Sequence, residues 1–228
     1  MKNFKLATVV GIFSVLMALA STQLKADSAE GFGIGINGIS GDFETNGSEV
    51  MKGSTSAGNS TKVTKSLEAA SIFAEYTFEG GSAIGIAVIP GTHKLGSKTT
   101  TRTDKLTDGT GTTVTQVAAA EATDHVLIYV DATIMGPVYV TAGVAEVSVN
   151  TTETLGTGAA YGNADIWGYM VGIGAKGDLG DTGVYGKVAA TYTDYEQINL
   201  SSTGSDVAST ISADIDVVAA QVSIGYKF

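Results

Sequence analysis

The chain has 228 residues, of which 43% are hydrophobic and 16% are charged, so it is too apolar to be a disordered polyelectrolyte. Its formal net charge of −10 argues against nucleic-acid binding, which needs clustered lysine and arginine side chains. Thirty glycines and two prolines favour strands and turns over long helices, and the absence of cysteine excludes a disulfide framework.

The N-terminus has the three parts of a secretory signal peptide. Two lysines precede an uncharged apolar run over 6–20, and small residues follow it. Cleavage is predicted after Ala26, or alternatively after Ala20. The run is short for a membrane-spanning helix, which needs about 20 apolar residues. We therefore predict a signal peptide over 1–26 and a mature domain over 27–228 with a net charge of −13.

Apolar residues alternate with polar or small ones in eight segments of the mature chain. The segments begin near Phe32, Ile72, Ile84, Val126, Val138, Trp167, Val184 and Val218. Short glycine-rich turns follow segments two, four and six, whereas long polar loops follow the odd-numbered segments, over 41–65, 93–112, 151–163 and 199–208. This alternation of connection lengths is typical of membrane barrels with periplasmic turns and external loops. We predict an all-β fold, a transmembrane antiparallel up-and-down barrel of eight strands, or of ten if a loop contains a hairpin.

The aromatic residues of these segments fall into two groups by depth. The first group lies at the periplasmic strand ends and contains Phe32, Tyr76, Phe78, Tyr226 and Phe228. The second lies toward the outer ends and contains Phe43, Trp167, Tyr169 and Tyr192. Aromatic rings favour the boundary between lipid and water, so the pattern predicts two girdles, with ordinary core packing as the alternative.

The signal peptide, the glycine-rich first strand and the alternation from Val222 to Phe228 resemble the family of small outer-membrane barrels typified by OmpX and the transmembrane domain of OmpA. The resemblance implies that Tyr226 and Phe228 form a sorting signal for the barrel-assembly machinery. It also implies the outer membrane of a Gram-negative-type bacterium as the location, with outer-membrane lipid and lipopolysaccharide as partners. We expect a monomer, and no peptidoglycan-binding domain after the last strand, unlike in OmpA.

Three charged residues are predicted to enter the lumen at one depth. Glu75 and Asp131 lie four residues before their turns, and Lys187 lies five residues after its turn. Eight strands enclose a lumen that side chains can fill, and an unpaired buried charge is costly. We therefore predict a closed polar network of these three residues, with Gln221 and Tyr129 as additional hydrogen-bonding partners.

The two histidines, His93 and His125, flank the second long loop, near Ser97, Asp124 and Glu121. Nucleophilic catalysis needs a base bonded to a hydroxyl and a third group that orients the base, and the sequence shows no such arrangement. We predict two solvated rim histidines, no enzymatic activity and no cofactor. The scattered acidic residues lack the spacing of a metal site, so no metal is expected.

The same loop contains a group of basic residues, Lys94, Lys98, Arg102 and Lys105. Contact with anionic lipopolysaccharide or a ligand is one interpretation. Solvated loop charges balanced by Asp104 and Asp108 are the interpretation we favour.

Two functions are compatible with this sequence. The first is a non-enzymatic outer-membrane protein whose extracellular loops have a structural, adhesive or surface-interaction role. The alternative is a small passive porin for hydrophilic solutes.

Overall fold

The structure, a computed structural model, describes residues 30–51, 59–105, 111–156, 160–203 and 209–228. Every regular element in these ranges is a β-strand. No helix in them is long and apolar enough to cross a membrane. The predicted signal peptide over 1–26 lies outside the described residues.

The strands of the described ranges form one antiparallel sheet. They are β1 (Gly31–Met51), β2 (Asn59–Thr77), β3 (Ala83–Ile89), β4 (His93–Lys105), β5 (Gly111–Met135), β6 (Val138–Thr151), β7 (Thr154–Leu155), β8 (Ala164–Asp178), β9 (Val184–Ser201) and β10 (Ser209–Lys227). Eight of them close a ring in the order β1, β2, β3, β5, β6, β8, β9 and β10, because β10 pairs with β1 and β3 pairs with β5. The strands β4 and β7 add to the outer half of β5. The predicted eight-stranded barrel is confirmed.

The two faces of the ring follow the predicted alternation. On β1, Phe32, Ile34 and Ile36 are exposed and point away from the barrel, whereas Gly33 is buried on the lumen side. Equivalent exposed apolar side chains surround the barrel, including Ile72, Ile84, Ile128, Val144, Val171, Val222 and Ile224. In the periplasmic half of this belt every strand of the ring is paired with both neighbours, so the apolar side chains there can face lipid without exposing unpaired backbone groups.

The strands extend farther outward than the sequence predicted. The ladder between β1 and β2 runs from Gly31 and Thr77 to Glu49 and Asn59, so most of the expected loop 41–65 is strand. Likewise, β4 and the outer part of β5 occupy most of the expected loop 93–112. These outer halves are rich in threonine, and their outward faces are polar. Backbone pairing and β-branched residues suffice to form them, but they leave no lipid-facing alternation in the sequence.

Aromatic side chains mark both boundaries of the apolar belt. At the periplasmic end, Phe32 stacks edge-on against Tyr76 at 4.9 Å between ring centroids, and Tyr226 against Phe228 at 5.2 Å. The outer boundary has Trp167, Tyr169 and Tyr192 exposed on the outward face. Phe43 was wrongly placed in this outer girdle. It occupies an odd position on β1, where side chains enter the lumen, and it is only 7% exposed.

Candidate functional site

A cluster of buried charges closes the periplasmic half of the lumen. Lys187 on β9 donates hydrogen bonds to Glu75 Oε2 on β2 at 2.8 Å and to Asp131 Oδ2 on β5 at 2.6 Å. The two acidic residues are 3% and 1% exposed, and Lys187 is 8% exposed. Side chains from three strands on different sides of the ring therefore meet at its centre. We call Glu75, Asp131 and Lys187 the charged plug.

Aromatic rings surround the ammonium group of Lys187. The rings of Phe73, Tyr129 and Tyr139 lie 5.5, 5.0 and 5.5 Å from Lys187 Nζ, within the range of cation–π attraction. Tyr129 also donates a hydrogen bond to Glu75 Oε2 at 2.6 Å. These rings and the paired charges fill the lumen, so the plug does not have the geometry of a water-filled pore.

Glycines on neighbouring strands make room for these rings. A Cβ atom on Gly85 would lie 2.5 Å from the Tyr129 ring, a distance that side chains do not tolerate. The ring therefore lies over the bare backbone of β3. The glycine-rich strand pattern serves lumen packing as well as strand curvature.

The remaining predicted site residues lie outside the plug. Gln221 pairs with Ala189, two residues farther from the periplasm than Lys187, and no hydrogen bond joins it to the plug among the described residues. Phe228 is exposed, and its backbone N–H donates to the carbonyl of Phe32 at 2.9 Å. Tyr226 is exposed beside it. Their role as a sorting signal stays a prediction.

Above the plug the lumen is largely apolar, although Glu49, Gln116 and Glu153 also line its outermost part. Its buried core consists of Phe43, Val147, Val149, Ile166, Ile198 and Ile215. Two adjacent cavities lie along this wall: an inner chamber of about 110 Å³ and an outer chamber of about 470 Å³. Phe43, Leu95, Val149 and Ile215 line both and form the boundary between them. The outer chamber has the size of a small-molecule pocket.

The histidines do not form the solvated pair that the sequence predicted. His125 lines the inner chamber and is largely buried, with its Nε2 2.8 Å from the hydroxyl of Tyr195. His93 is more exposed, and its Nε2 lies 3.2 Å from the carbonyl of Pro90. Among the described residues, no hydrogen bond connects either histidine to the nearby serine or acidic side chains. Nor do three His, Cys, Asp or Glu side chains in those ranges form a metal-binding group.

The barrel wall is interrupted beside the two chambers. The ladder between β2 and β3 ends at Ile72 and Val88, and among the described residues no backbone pairing joins residues 59–71 of β2 to β4. Pro90 directly follows β3 and has no N–H with which to continue a ladder. The chain restarts as β4 at His93 and pairs only with β5. We call this opening between 59–71 and β4 the lateral gap.

The gap borders both chambers. Leu67 of β2 and Leu95 of β4 line the inner chamber from its two sides, and Val63 and Gly96 do the same for the outer chamber. Two long side chains cross it: Lys65 donates to the carbonyl of Lys94 at 2.9 Å, and Lys98 donates to Thr61 Oγ1 at 2.8 Å. Side-chain bonds to solvent-exposed groups are weaker than a continuous backbone ladder, so this seam is the least firmly closed part of the wall.

The chamber and the gap were missed by sequence reasoning. The signals for the chamber were present: Ile211, Ala213, Ile215 and Val217 alternate on β10, as do Ile198 and Leu200 on β9. They lie outside the eight predicted segments, and Leu200 lies within the predicted loop 199–208. The gap had one local signal, Pro90 immediately after an apolar strand.

No family model matches the sequence, and no curated protein does. Among solved structures, OprG from Pseudomonas aeruginosa aligns with a TM-score of 0.51 at 15% identity, covering 90% of this chain and 99% of OprG. AlkL aligns at 0.43 with 13% identity over 88% of this chain and 93% of AlkL. The outer membrane protease OmpT from Escherichia coli aligns at 0.40 with 12% identity over 91% of this chain and 99% of OmpT. The likeness to OprG confirms the predicted fold, a small antiparallel β-barrel.

Proposed function

We propose that this barrel is a non-enzymatic passage for small apolar molecules, which enter the outer chamber and leave sideways into the membrane through the lateral gap. The observation that carries the proposal is the missing pairing between residues 59–71 of β2 and β4 beside a largely apolar cavity of about 470 Å³. An apolar solute gains free energy by leaving water for such a cavity, at about 25 cal/mol per Å² of buried apolar surface.

The height of the gap supports a route into lipid. Ile72, the last residue of β2 paired with β3, lies five residues from Thr77 at the periplasmic end of the strand. At a rise of about 3.3 Å per residue and a tilt of about 40°, that distance is about 13 Å along the barrel axis. The lipid-facing band of such barrels is about 25 Å tall. The gap therefore begins about halfway up the band, so its lower part faces the outer leaflet and the rest of it lies above the band.

The charged plug supports a sideways exit over a straight one. A solute moving toward the periplasm meets Lys187 bonded to Glu75 and Asp131 at the barrel centre. An apolar solute has no polar groups to replace the hydrogen bonds that it would break between these buried charges. The same plug argues against the alternative of a porin for hydrophilic solutes. A role in adhesion or surface interaction stays a prediction, because all four outer connections lie partly outside the described residues.

Reversible cross-linking of the gap tests the proposal. The chain has no cysteine, so the variant Thr61→Cys/Lys98→Cys carries one thiol on each side of the gap. A short bis-maleimide with a cleavable disulfide would join them in cells that carry the protein in their outer membrane. The matched control is Asn199→Cys/Ser212→Cys, a cross-strand pair on the closed ladder between β9 and β10.

The rate of uptake of N-phenylnaphthylamine, an uncharged probe that fluoresces in membranes, is the measurement. We expect cross-linking of the gap to reduce uptake to that of cells lacking the protein, and reductive cleavage to restore it. Cross-linking of the control pair should change nothing. Uptake at the unmodified rate through a fully cross-linked gap would exclude the sideways route.

A further inference from the structure

Charges on the outward face of the barrel are distributed unevenly. Above the apolar belt, seven strands of the ring carry an outward acidic residue: Asp42, Glu68, Asp124, Glu146, Asp165, Asp194 and Asp216. β3 is the exception, because Pro90 follows its last residue. The basic residues Lys65, Lys94 and Lys98 lie at the gap instead. An anion that approaches the barrel from the side is therefore repelled around most of the circumference and attracted at the gap.

One of these lysines lines the outer chamber, and a second lies at the gap beside it. Lys98 lines the outer chamber, and Lys65 lies on the same face of β2 as Val63 and Leu67, which line the two chambers. The ammonium groups of Lys65 and Lys98 have three N–H donors each. Among the described residues, each group donates one hydrogen bond, to a neutral oxygen of the opposite strand. Among the described residues, neither lies within ion-pair distance of a carboxylate. Both groups thus have donors available for an anion.

The neighbouring lysines differ, because acidic residues balance them. Lys62 forms an ion pair with Glu44 on the outward face of β1. Lys94 is the cross-strand partner of Glu121 on β5. The uncompensated positive charge at the gap therefore comes from Lys65 and Lys98 and lies next to apolar space.

We propose that the lateral gap and the outer chamber bind single-chain carboxylate amphiphiles, with the carboxylate between Lys65 and Lys98 and the apolar chain in the chamber. This inference rests on the proposed function, since it names the class of molecule that the chamber takes up. Hydrogen bonds from an ammonium to a carboxylate are about twice as strong as neutral ones, so the two lysines exchange their neutral acceptors for the ligand.

The size of the chamber favours a single chain. A volume of about 470 Å³ lies within the range of small-molecule pockets. A lipid with several chains would leave most of its apolar surface outside this space. The ligand must also carry its charge at the gap end, because Lys65 and Lys98 lie there, whereas Glu49 and Glu153 line the chamber together with apolar residues such as Phe43 and Ile215.

Photo-crosslinking in phosphatidylcholine nanodiscs tests the inference. The probes are dodecanoic acid with a diazirine at its terminal carbon and the primary amide of the same acid, which has equal length and no charge. Labelled residues are identified by mass spectrometry at pH 8. We expect the acid to label chamber residues about tenfold more efficiently than the amide, the factor expected from one charge-assisted hydrogen bond.

Variants assign the preference to the two lysines. Lys65→Gln/Lys98→Gln should label equally with acid and amide, while Lys65→Arg/Lys98→Arg should keep the preference for the acid. The matched control Lys62→Gln removes a lysine of the same strand that is already paired with Glu44, and it should behave like the unmodified protein. Retention of the folded band on a gel verifies each variant.

The outcomes separate this inference from the proposed function. Equal labelling by acid and amide in the unmodified protein, or an unchanged preference in the glutamine variant, would overturn the carboxylate site and leave the apolar passage standing. Labelling of the chamber by neither probe would overturn both. Loss of acid labelling when lipopolysaccharide is added to the nanodiscs would assign the lysines to lipid phosphates and overturn the inference.

Discussion

Lys187→Met removes the ammonium group that both carboxylates of the charged plug bind, while keeping an unbranched side chain of similar length in the lumen. The bonds lost are those to Glu75 at 2.8 Å and to Asp131 at 2.6 Å. Both acidic residues stay buried, at 3% and 1% exposure, and face each other without a bonded cation. Removing one partner of a buried ion pair costs about 3–5 kcal/mol. We expect the free energy of unfolding to fall by about that amount.

The assay is urea unfolding in lipid bilayers, followed by two signals. Trp167, the single tryptophan, is exposed on the lipid-facing side, so its fluorescence reports transfer to water on unfolding. The fraction of protein that migrates as the folded form on a gel gives an independent value for the urea concentration at the unfolding midpoint. The destabilisation should shrink at low pH, because protonation of a carboxylate removes the uncompensated charge. A loss below about 0.5 kcal/mol at neutral pH would refute the claim that the plug is bonded as described.

Two control variants separate charge from packing. Lys176→Met removes another buried ammonium that faces the lumen but has no hydrogen-bond partner among the described residues, so it should cost less than Lys187→Met. The triple variant Lys187→Met/Glu75→Gln/Asp131→Asn neutralises the plug with side chains of similar size. It should recover most of the loss, because replacing all members of a buried ionic group is far less costly than removing one.

Further predictions concern packing, assembly and the closed lumen. Gly85→Leu should lower the free energy of unfolding by about 1–3 kcal/mol because its side chain meets the Tyr129 ring, whereas Gly162→Ala, with no atom within 4 Å of its new Cβ, should unfold like the parent in the same urea titration. Deleting Phe228 should reduce membrane insertion in cells but leave refolding into detergent nearly normal, and unchanged insertion would contradict the sorting signal. Unboiled and boiled samples should migrate differently on a denaturing gel, and recovery as a soluble periplasmic protein would contradict the membrane barrel. Planar bilayers should show no stable, large ion conductance, and its presence would show that the plug is open.

The inner half of the barrel could be predicted from sequence because lipid and lumen impose opposite demands on adjacent residues. Ile34 and Ile36 face lipid, so Gly33 faces the lumen. Because side chains of a strand alternate between its two faces, this arrangement is visible in the sequence as an alternation of apolar and small residues. Counting residues from the short turns then placed Glu75, Asp131 and Lys187 at one depth, where the structure brings them together. Only alternation and turn position are needed for that step.

The structure of the outer half of the barrel could be determined only from the tertiary fold. There the outward residues meet water or headgroups, so polar side chains such as Thr64 and Ser66 occupy the face that lipid would otherwise make apolar, and the outward apolar series disappears. Phe43 and His125 were misplaced for this reason, since no local pattern distinguishes an apolar lumen from an aromatic girdle or a solvated rim. The lateral gap depends on whether the backbone edge of β2 finds a partner. The alternation of side chains shows which face of the sheet a residue occupies, but not which strand lies beside it. The lateral gap therefore follows from the strand pairing of the folded barrel and not from the sequence pattern.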